Sequence, residues 1–285
     1  MKIGFRIPDT ANELPFDTLC RWASTNRFYS LDLGSIDESK RTTMQTLDIE
    51  IGTVDIFSLC GLFGNDIEVE KAYAEGEAIM DSAKANGASK LFTVLFPRDG
   101  SIGRAQLWAR FKETFGLVVK ELESRGLKLA VEGWPGPSPH YGSMAVTPEM
   151  VRALLKEFPS EAVCLNYDPS HLIRLGIDYL RFLDEFGDRV IHVHGKDTTF
   201  DSEAMYQYGM LGPNLSKPKP FGLDAWRYCI PGEGNADWAK IAAKLDSLGY
   251  NDIVSIELED FRYSGAWELE ASGLLKARTH LEQFV

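Results

Sequence analysis

Five histidines occur in 285 residues, and two of them, His192 and His194, stand two apart in Arg189-Val-Ile-His-Val-His-Gly-Lys-Asp197. Side chains two apart on a strand share a face, so both imidazoles project the same way from a buried strand that the Gly-Lys-Asp ends. Three carboxylates occupy a matching position. Glu132 closes the apolar run from Leu129, Asp168 closes the run from Leu165, and Glu257 closes the run from Val254. Carboxylates and an imidazole converging at strand ends repel one another and lose solvation unless a cation lies among them. The implied chemistry is one divalent metal ion held by Glu132, Asp168, His194 and Glu257. An oxygen-rich set with one nitrogen and no thiolate points to Mn, with Mg, Co and Zn as alternatives. Such an ion binds two neighbouring oxygens of a hydroxy-carbonyl compound, which is to say a sugar or polyol. A glutamate beside it could then remove the proton α to the carbonyl, with the metal stabilising the resulting enediolate.

Those residues need a scaffold that brings strand ends together. Strand patterns at 2–7, 27–33, 50–59, 89–96, 127–132, 162–168, 189–197 and 252–258 alternate with helical patterns at 9–25, 37–47, 67–86, 101–125, 147–158, 171–186, from 237, and 265–284. The punctuation fits: Gly87 and Gly126 stand where helices should stop, and Thr147-Pro-Glu opens one with an N-cap and proline at the first helical position. Eight strand-helix alternations predict a parallel (β/α)8 TIM barrel, whose site is built at the C-terminal ends of its strands. The chain reads as a single TIM-barrel domain over 1–285, with a long strand-seven loop at about 198–235. That loop is far above the usual length of a few residues, which suits an active-site lid, a subunit contact in a homo-oligomer, or both.

Composition narrows the classes. A formal charge of -12 argues against nucleic acid as partner, and no apolar run is long enough to span a membrane. The first residues turn polar too soon for a secretory signal, so a cytoplasmic location is expected. Cys20, Cys60, Cys164 and Cys229 form no CxxC and read as buried thiols.

Glu132 in Val131-Glu-Gly133, Asp168-Pro-Ser-His171, His192-Val-His-Gly-Lys-Asp197, Ile230-Pro-Gly-Glu-Gly-Asn-Ala-Asp-Trp238 and Val254-Ser-Ile-Glu-Leu-Glu-Asp260 together resemble the xylose isomerase-like barrel superfamily. The branch they look most like is the sugar phosphate isomerase/epimerase group, with its ketose 3-epimerases and inosose-converting enzymes. The resemblance implies the same four metal ligands, with Glu132 and Glu257 as catalytic residues exchanging protons on opposite faces of the substrate. It further implies that His171 contacts substrate oxygens, and the expected function is a ketose or inosose isomerase/epimerase. The branch also contains metal-dependent lyases that cleave 3-keto glycosides, including C-glycosides, after the same proton abstraction. An apurinic-site endonuclease shares the barrel but needs a histidine-rich trinuclear zinc centre, and a sugar-binding barrel without turnover would leave the acid/base pair idle. Arg227 is the basic residue nearest the Pro231-Gly232 turn, displaced from where relatives carry one, and is counted as a substrate contact.

Each residue also has a plainer reading. His192, deeper in the strand, reads as a packed, hydrogen-bonded histidine, and Asp168 before proline could simply cap the next helix. Lys196 and Asp197 read equally as substrate-orienting groups or a surface ion pair, Glu259 and Asp260 as solvated rim charges, His140 as an exposed loop histidine, and His280 as surface. Trp134 and Trp226 lie in expected mouth loops, where an aromatic face could stack on a sugar.

Overall fold

The computed structural model describes residues 1–97, 99–136 and 142–285. Runs rich in aliphatic residues pair as parallel strands β1 (Lys2–Arg6), β2 (Ser30–Leu33), β3 (Glu50–Asp55), β4 (Lys90–Val94), β5 (Lys128–Glu132), β6 (Val163–Tyr167) and β7 (Val190–Gly195). After β8 (Asp197–Phe200) and β9 (Trp226–Cys229), which pair with each other, β10 (Ile253–Ile256) lies between β7 and β1 and closes the barrel. The expected (β/α)8 fold is therefore the observed one.

Helices flank this barrel, most of them turning an apolar face toward it. They are α1 (Phe16–Thr25), α2 (Glu38–Thr46), α3 (Asp66–Ala85), α4 (Arg104–Arg125), α5 (Pro148–Glu157), α6 (Pro169–Arg174), α7 (Tyr179–Phe186), α8 (Ser202–Tyr208), α9 (Trp238–Ser247) and α10 (Trp267–Leu281). In α4 the buried residues Leu107, Phe111, Phe115, Val118 and Leu122 form one stripe at helical spacing. Each large apolar side chain so buried contributes roughly 1.5–3 kcal/mol. Asn65 and Glu68 cap α3 reciprocally, Thr147 caps α5 through Met150 N, and α4 ends at the left-handed Gly126.

Two departures from the sequence reading matter for the site. The helix expected over 171–186 is two, α6 and α7, separated at Gly176, whose φ of +70° no continuing helix accepts. The long strand-seven loop contains the antiparallel hairpin β8–β9, with Thr198 opposite Tyr228 and Phe200 opposite Trp226, and α8 between them. Its pattern is short, interrupted by proline and separated by 25 residues, so no local periodicity announces the pairing. Thr198 Oγ1 donates to Ser170 O at 2.8 Å, which fastens the hairpin to α6.

Asp197 locks the hairpin base. Its Oδ1 accepts from Thr198 N at 2.7 Å and Ala236 N at 2.9 Å, and a Cβ at Gly234 would fall 2.2 Å from that oxygen. The carboxyl is thus inside the hairpin base, not on the surface, and burial pushes it up to about 7. Its folded value lies above the unfolded value of about 4, so the native state keeps a proton that the unfolded chain releases between these limits. Native stability from this residue is accordingly lost as pH rises from about 4 to about 7, by up to about 1.4 kcal/mol per unit. Urea unfolding of the wild type and Asp197→Asn across that range should show the variant gaining relative stability as pH rises. A pH-independent difference between the two proteins would exclude this account.

Candidate metal and catalytic centre

Strand register sets out the site. Glu132 is opposite Asn166, Asn166 opposite His192, and Ser255 opposite His194, so β5, β6, β7 and β10 present these side chains side by side. His192 and His194 are both fully buried, set edge to face along the strand with ring centroids 5.6 Å apart. One ligand atom each from Glu132, Asp168, His194 and Glu257 falls within 4.8 Å of the other three. Two ligands of a single ion at about 2.0–2.5 Å can be no more than about 5 Å apart, so the spacing suits one cation.

The atoms that make no hydrogen bond point the same way. Asp168 does two things at once: its Oδ1 accepts from Ser170 N at 2.8 Å and caps α6, while its buried Oδ2 has no hydrogen bond and faces the cluster. The capping reading and the ligand reading of this residue are therefore compatible. His194 Nδ1 lies 2.7 Å from Glu132 Oε1 and 3.3 Å from Glu257 Oε2 but is aligned for a hydrogen bond with neither. Carboxylate oxygens crowded around an imidazole nitrogen without hydrogen-bond alignment fit the donor set of a hard divalent ion.

Charge compensation is dense around these groups. Lys196 is buried, with its Nζ 3.1 Å from Asp168 Oδ2, 3.0 Å from Glu259 Oε2 and in contact with Glu257. Burial alone would lower this ammonium, but Asp168, Glu257, Glu259 and Glu132 hold it well above the usual lysine range. Burial alone would raise the Glu132 carboxyl, and the His194 and His171 rings hold it well below the usual range instead. Glu257 is also held down against burial, by Lys196 and His194. Burial dominates at Glu259 and raises it. His194 is raised because Glu257, Glu132 and Asp32 outweigh its desolvation.

Several residues that complete the site were not among the sequence candidates. Asn166 Nδ2 donates to Glu132 Oε1 at 2.7 Å. Arg6 makes a two-point bond with Asp55, at 2.8 and 2.6 Å, and its Nε stands 3.6 Å from Glu257 Oε1. Asp32 receives His192 Nε2 at 2.9 Å. From β9, the Tyr228 hydroxyl bonds His171 Nδ1 at 2.8 Å and accepts from Arg174 at 2.9 Å. Arg6, Asp32 and Asp55 lie at or near the ends of β1, β2 and β3, where the strand-end criterion, applied to all eight strands, would have found them.

His171 lies against the cluster, its Nε2 3.3 Å from both Glu132 Oε2 and Asp168 Oδ2. Trp134 lines a cavity of about 500 Å³ above the cluster, together with Arg6, Glu132, Lys196, Glu257 and Glu259 on its polar side. Phe57, Phe92, Val94 and Phe96 line the same cavity. Arg227 is brought elsewhere, with NH1 3.7 Å from Asp260 and its guanidinium over the Phe261 ring. Trp226 is buried under the Arg174 guanidinium, 3.9 Å from its ring centroid, which leaves no face for a sugar. Asp260 is also buried, not solvated; it accepts from Arg262 and caps the turn over 261–263. His280 is half-buried against Gly232, and His140 lies outside the described residues. All four cysteines are buried and form no disulfide, as expected.

The family model described as "Xylose isomerase-like TIM barrel" matches residues 9–280. The chain belongs to this family. Within the xylose isomerase-like barrels it is 30% identical over 151 residues to "Uncharacterized protein YfiH" of Bacillus subtilis, covering 52% of this chain and 45% of that one. It is 28% identical over 123 residues to "Inosose dehydratase" of Geobacillus thermodenitrificans, covering 42% and 38%. The chain thus spans less than half the length of the curated relatives it matches. Among solved structures, D-psicose 3-epimerase from Clostridium cellulolyticum superimposes with a TM-score of 0.73 at 16% identity, over 100% of this chain and 99% of that one. The probable 3-DHS dehydratase AsbF of Bacillus anthracis gives 0.72 at 14% identity over 99% of each chain, and an IOLI protein with a bound zinc atom gives 0.70 at 16%, over 100% and 96%. At such identities these barrels speak to the fold alone.

A metal at this cluster should stabilise the folded state by mass action, by about 2.7 kcal/mol at a hundredfold excess over Kd. Mn2+ added to chelator-stripped protein is expected to raise the melting temperature by several degrees. Asp168→Asn keeps a capping oxygen but loses the anionic one, and should abolish most of that rise in thermal melts. An equal rise in the variant would remove Asp168 from the ligand set.

Proposed function

We propose that this protein is a divalent-metal-dependent sugar isomerase or epimerase, acting on an unphosphorylated ketose or inosose by removing the proton α to its carbonyl. The observation that carries the reading is the pair Glu132 and Glu257, both held below the usual carboxylate range and both beside His194 Nδ1, lining a cavity that admits a sugar-sized molecule. A divalent ion held by Glu132, Asp168, His194 and Glu257 would polarise a carbonyl oxygen and the neighbouring hydroxyl, and so acidify the intervening C–H bond. Mn is the metal favoured by the oxygen-rich donor set, with Mg, Co and Zn as alternatives.

The protein's own groups then divide the work. One glutamate takes the proton from carbon and the C–H electron pair moves into an enediolate; the other, anionic at the outset, first takes up a proton from solvent and gives it to the opposite face, and the first then releases its proton to solvent. In the reverse direction the two exchange roles. Asn166 orients Glu132 through its Oε1, while Arg6 and Lys196 favour the ionised form of Glu257. Lys196 lines the cavity and would contact substrate oxygens, while His171, fixed by Tyr228, stands against Glu132 and Asp168 outside that lining. Both cations lining the cavity, Arg6 and Lys196, already pair with carboxylates, so among the described residues that line it none is left to neutralise a phosphate. The Phe96–Trp134 edge contact, with centroids 5.4 Å apart, helps keep water from the enediol.

The apolar wall of Phe57, Phe92, Val94 and Phe96 favours a second reading, a lyase that expels an apolar aglycone from a 3-keto glycoside after the same proton removal. The dehydratase names of several relatives are consistent with elimination at such a carbon. Incubating Mn2+-loaded enzyme with ketoses in D2O should place deuterium at the α carbon and yield the C3 epimer on chromatography. Glu132→Gln and Glu257→Gln should each slow exchange by at least about 100-fold. Deuterium uptake with release of aglycone from an oxidised aryl glycoside would select the lyase, and absence of exchange on every hydroxy-ketone would sink both readings.

A further inference from the structure

Asp32 takes no part in the chemistry above, yet it is a fully buried carboxylate in the barrel interior. Leaving such a charge without partners costs several kcal/mol, and the structure surrounds it with donors from three other strands. Between Leu31 and Leu33 of β2 the pairing with β3 shifts by one residue, so Asp32 faces both Gly52 and Thr53. This bulge turns Thr53 N to Asp32 Oδ1, at 3.0 Å. Gly52 makes room, because a Cβ there would fall 2.1 Å from the same oxygen. Ser255 Oγ from β10 donates to Oδ2 at 2.6 Å, and His192 Nε2 from β7 lies 2.9 Å from it. The remaining neighbour of Oδ2 is His194 Nε2, at 3.7 Å.

A neutral imidazole carries one proton, and the partner of one ring nitrogen decides which nitrogen bears it. His194 Nε2 makes no hydrogen bond in this structure, and the carboxylate oxygen 3.7 Å from it can only accept. Its Nδ1 faces Glu132 Oε1 and Glu257 Oε2, two of the groups that would share an ion with it. An ion at that cluster needs the Nδ1 lone pair. We infer that Asp32 is a positioning residue that fixes the tautomer of His194, keeping the proton on Nε2 and the Nδ1 lone pair on the metal side. His192 serves the same end by holding the carboxylate from below. The inference rests on the metal-centre reading and adds to it a residue that contributes no ligand.

The test uses the full-length, chelator-stripped protein with zinc as the probe, since zinc is diamagnetic. The wild type should bind one zinc per chain, with 15N-histidine spectra showing His194 protonated on Nε2 and ligated through Nδ1. Asp32→Asn should weaken zinc binding by roughly 10- to 100-fold and lose that tautomer signature, while the metal-free circular dichroism stays native. If Asp32→Asn fails to fold, Gly52→Ala displaces the carboxylate without removing its charge and should weaken zinc similarly. Zinc affinity within twofold of wild type in either folded variant overturns the inference, as does a His194 ligated through Nε2. A second zinc per chain that is lost with Asp32 also overturns it, by making Asp32 a ligand. A wild type that binds no zinc, Mn2+ or Co2+ sinks the metal centre together with the inference, whereas tight wild-type binding unaffected by either variant sinks the inference alone.

Discussion

Everything at the mouth of this barrel depends on compensating buried negative charge. Glu132, Asp168, Glu257 and Glu259 surround one ammonium, that of Lys196, and Asp55 is clamped by Arg6. Two unit charges 4 Å apart interact by about 4 kcal/mol at an effective dielectric near 20, so no carboxylate here is independent of its neighbours. The network explains why burial, which raises Glu259, does not raise Glu132 or Glu257. The difference lies in the cations each one meets. Glu257 stands between Arg6 and Lys196, and Glu132 between two histidines, while Glu259 has Lys196 on one side and the like charge of Glu257 on the other.

Asp168 Oδ2 is where the two sources of positive charge meet. It is 3.1 Å from Lys196 Nζ and is also one of the atoms that would ligate an ion. A divalent cation at the cluster would take over part of the neutralisation that Lys196 supplies, while the ammonium keeps Glu259 at 3.0 Å as a partner. Lys196, which lines the cavity, would then be a donor beside the ion. A surface ion pair has no such role, because exposed pairs are worth little and hold no fixed geometry.

The sequence revealed the barrel because eight strand-helix alternations carry their own punctuation, such as Thr147-Pro148 and Gly126, in a few residues each. It singled out Glu132, Asp168, His194 and Glu257 as candidates because each ends an apolar run, and the structure places them within a residue of a strand end with ligand atoms within 4.8 Å of one another. The hairpin β8–β9 was not legible, since its two strands meet across a stretch with no common periodicity. Tyr228, which supports His171, was hidden for the same reason. Trp226 and Arg227 were assigned to the mouth because the loop was; once the loop is a hairpin, alternation sends Trp226 under Arg174 and Arg227 toward Asp260.

The strand-end criterion rests on the cavity of such a barrel opening at the C-terminal ends of its strands, where an inward polar side chain can meet solvent or a ligand. Applied to β1, β2 and β3, the same criterion yields Arg6, Asp32 and Asp55, none of which belongs to the four-ligand cluster. Their side chains instead answer one another or the ligands: Arg6 binds Asp55 and approaches Glu257, while Asp32 binds His192 and approaches His194. The ends of β5 to β7 and β10 supply one group of atoms that could touch an ion, and Asp32 of β2 forms a second such group with His192 and His194. A polar strand end in this fold thus signals the site even when it lies outside the four-ligand cluster.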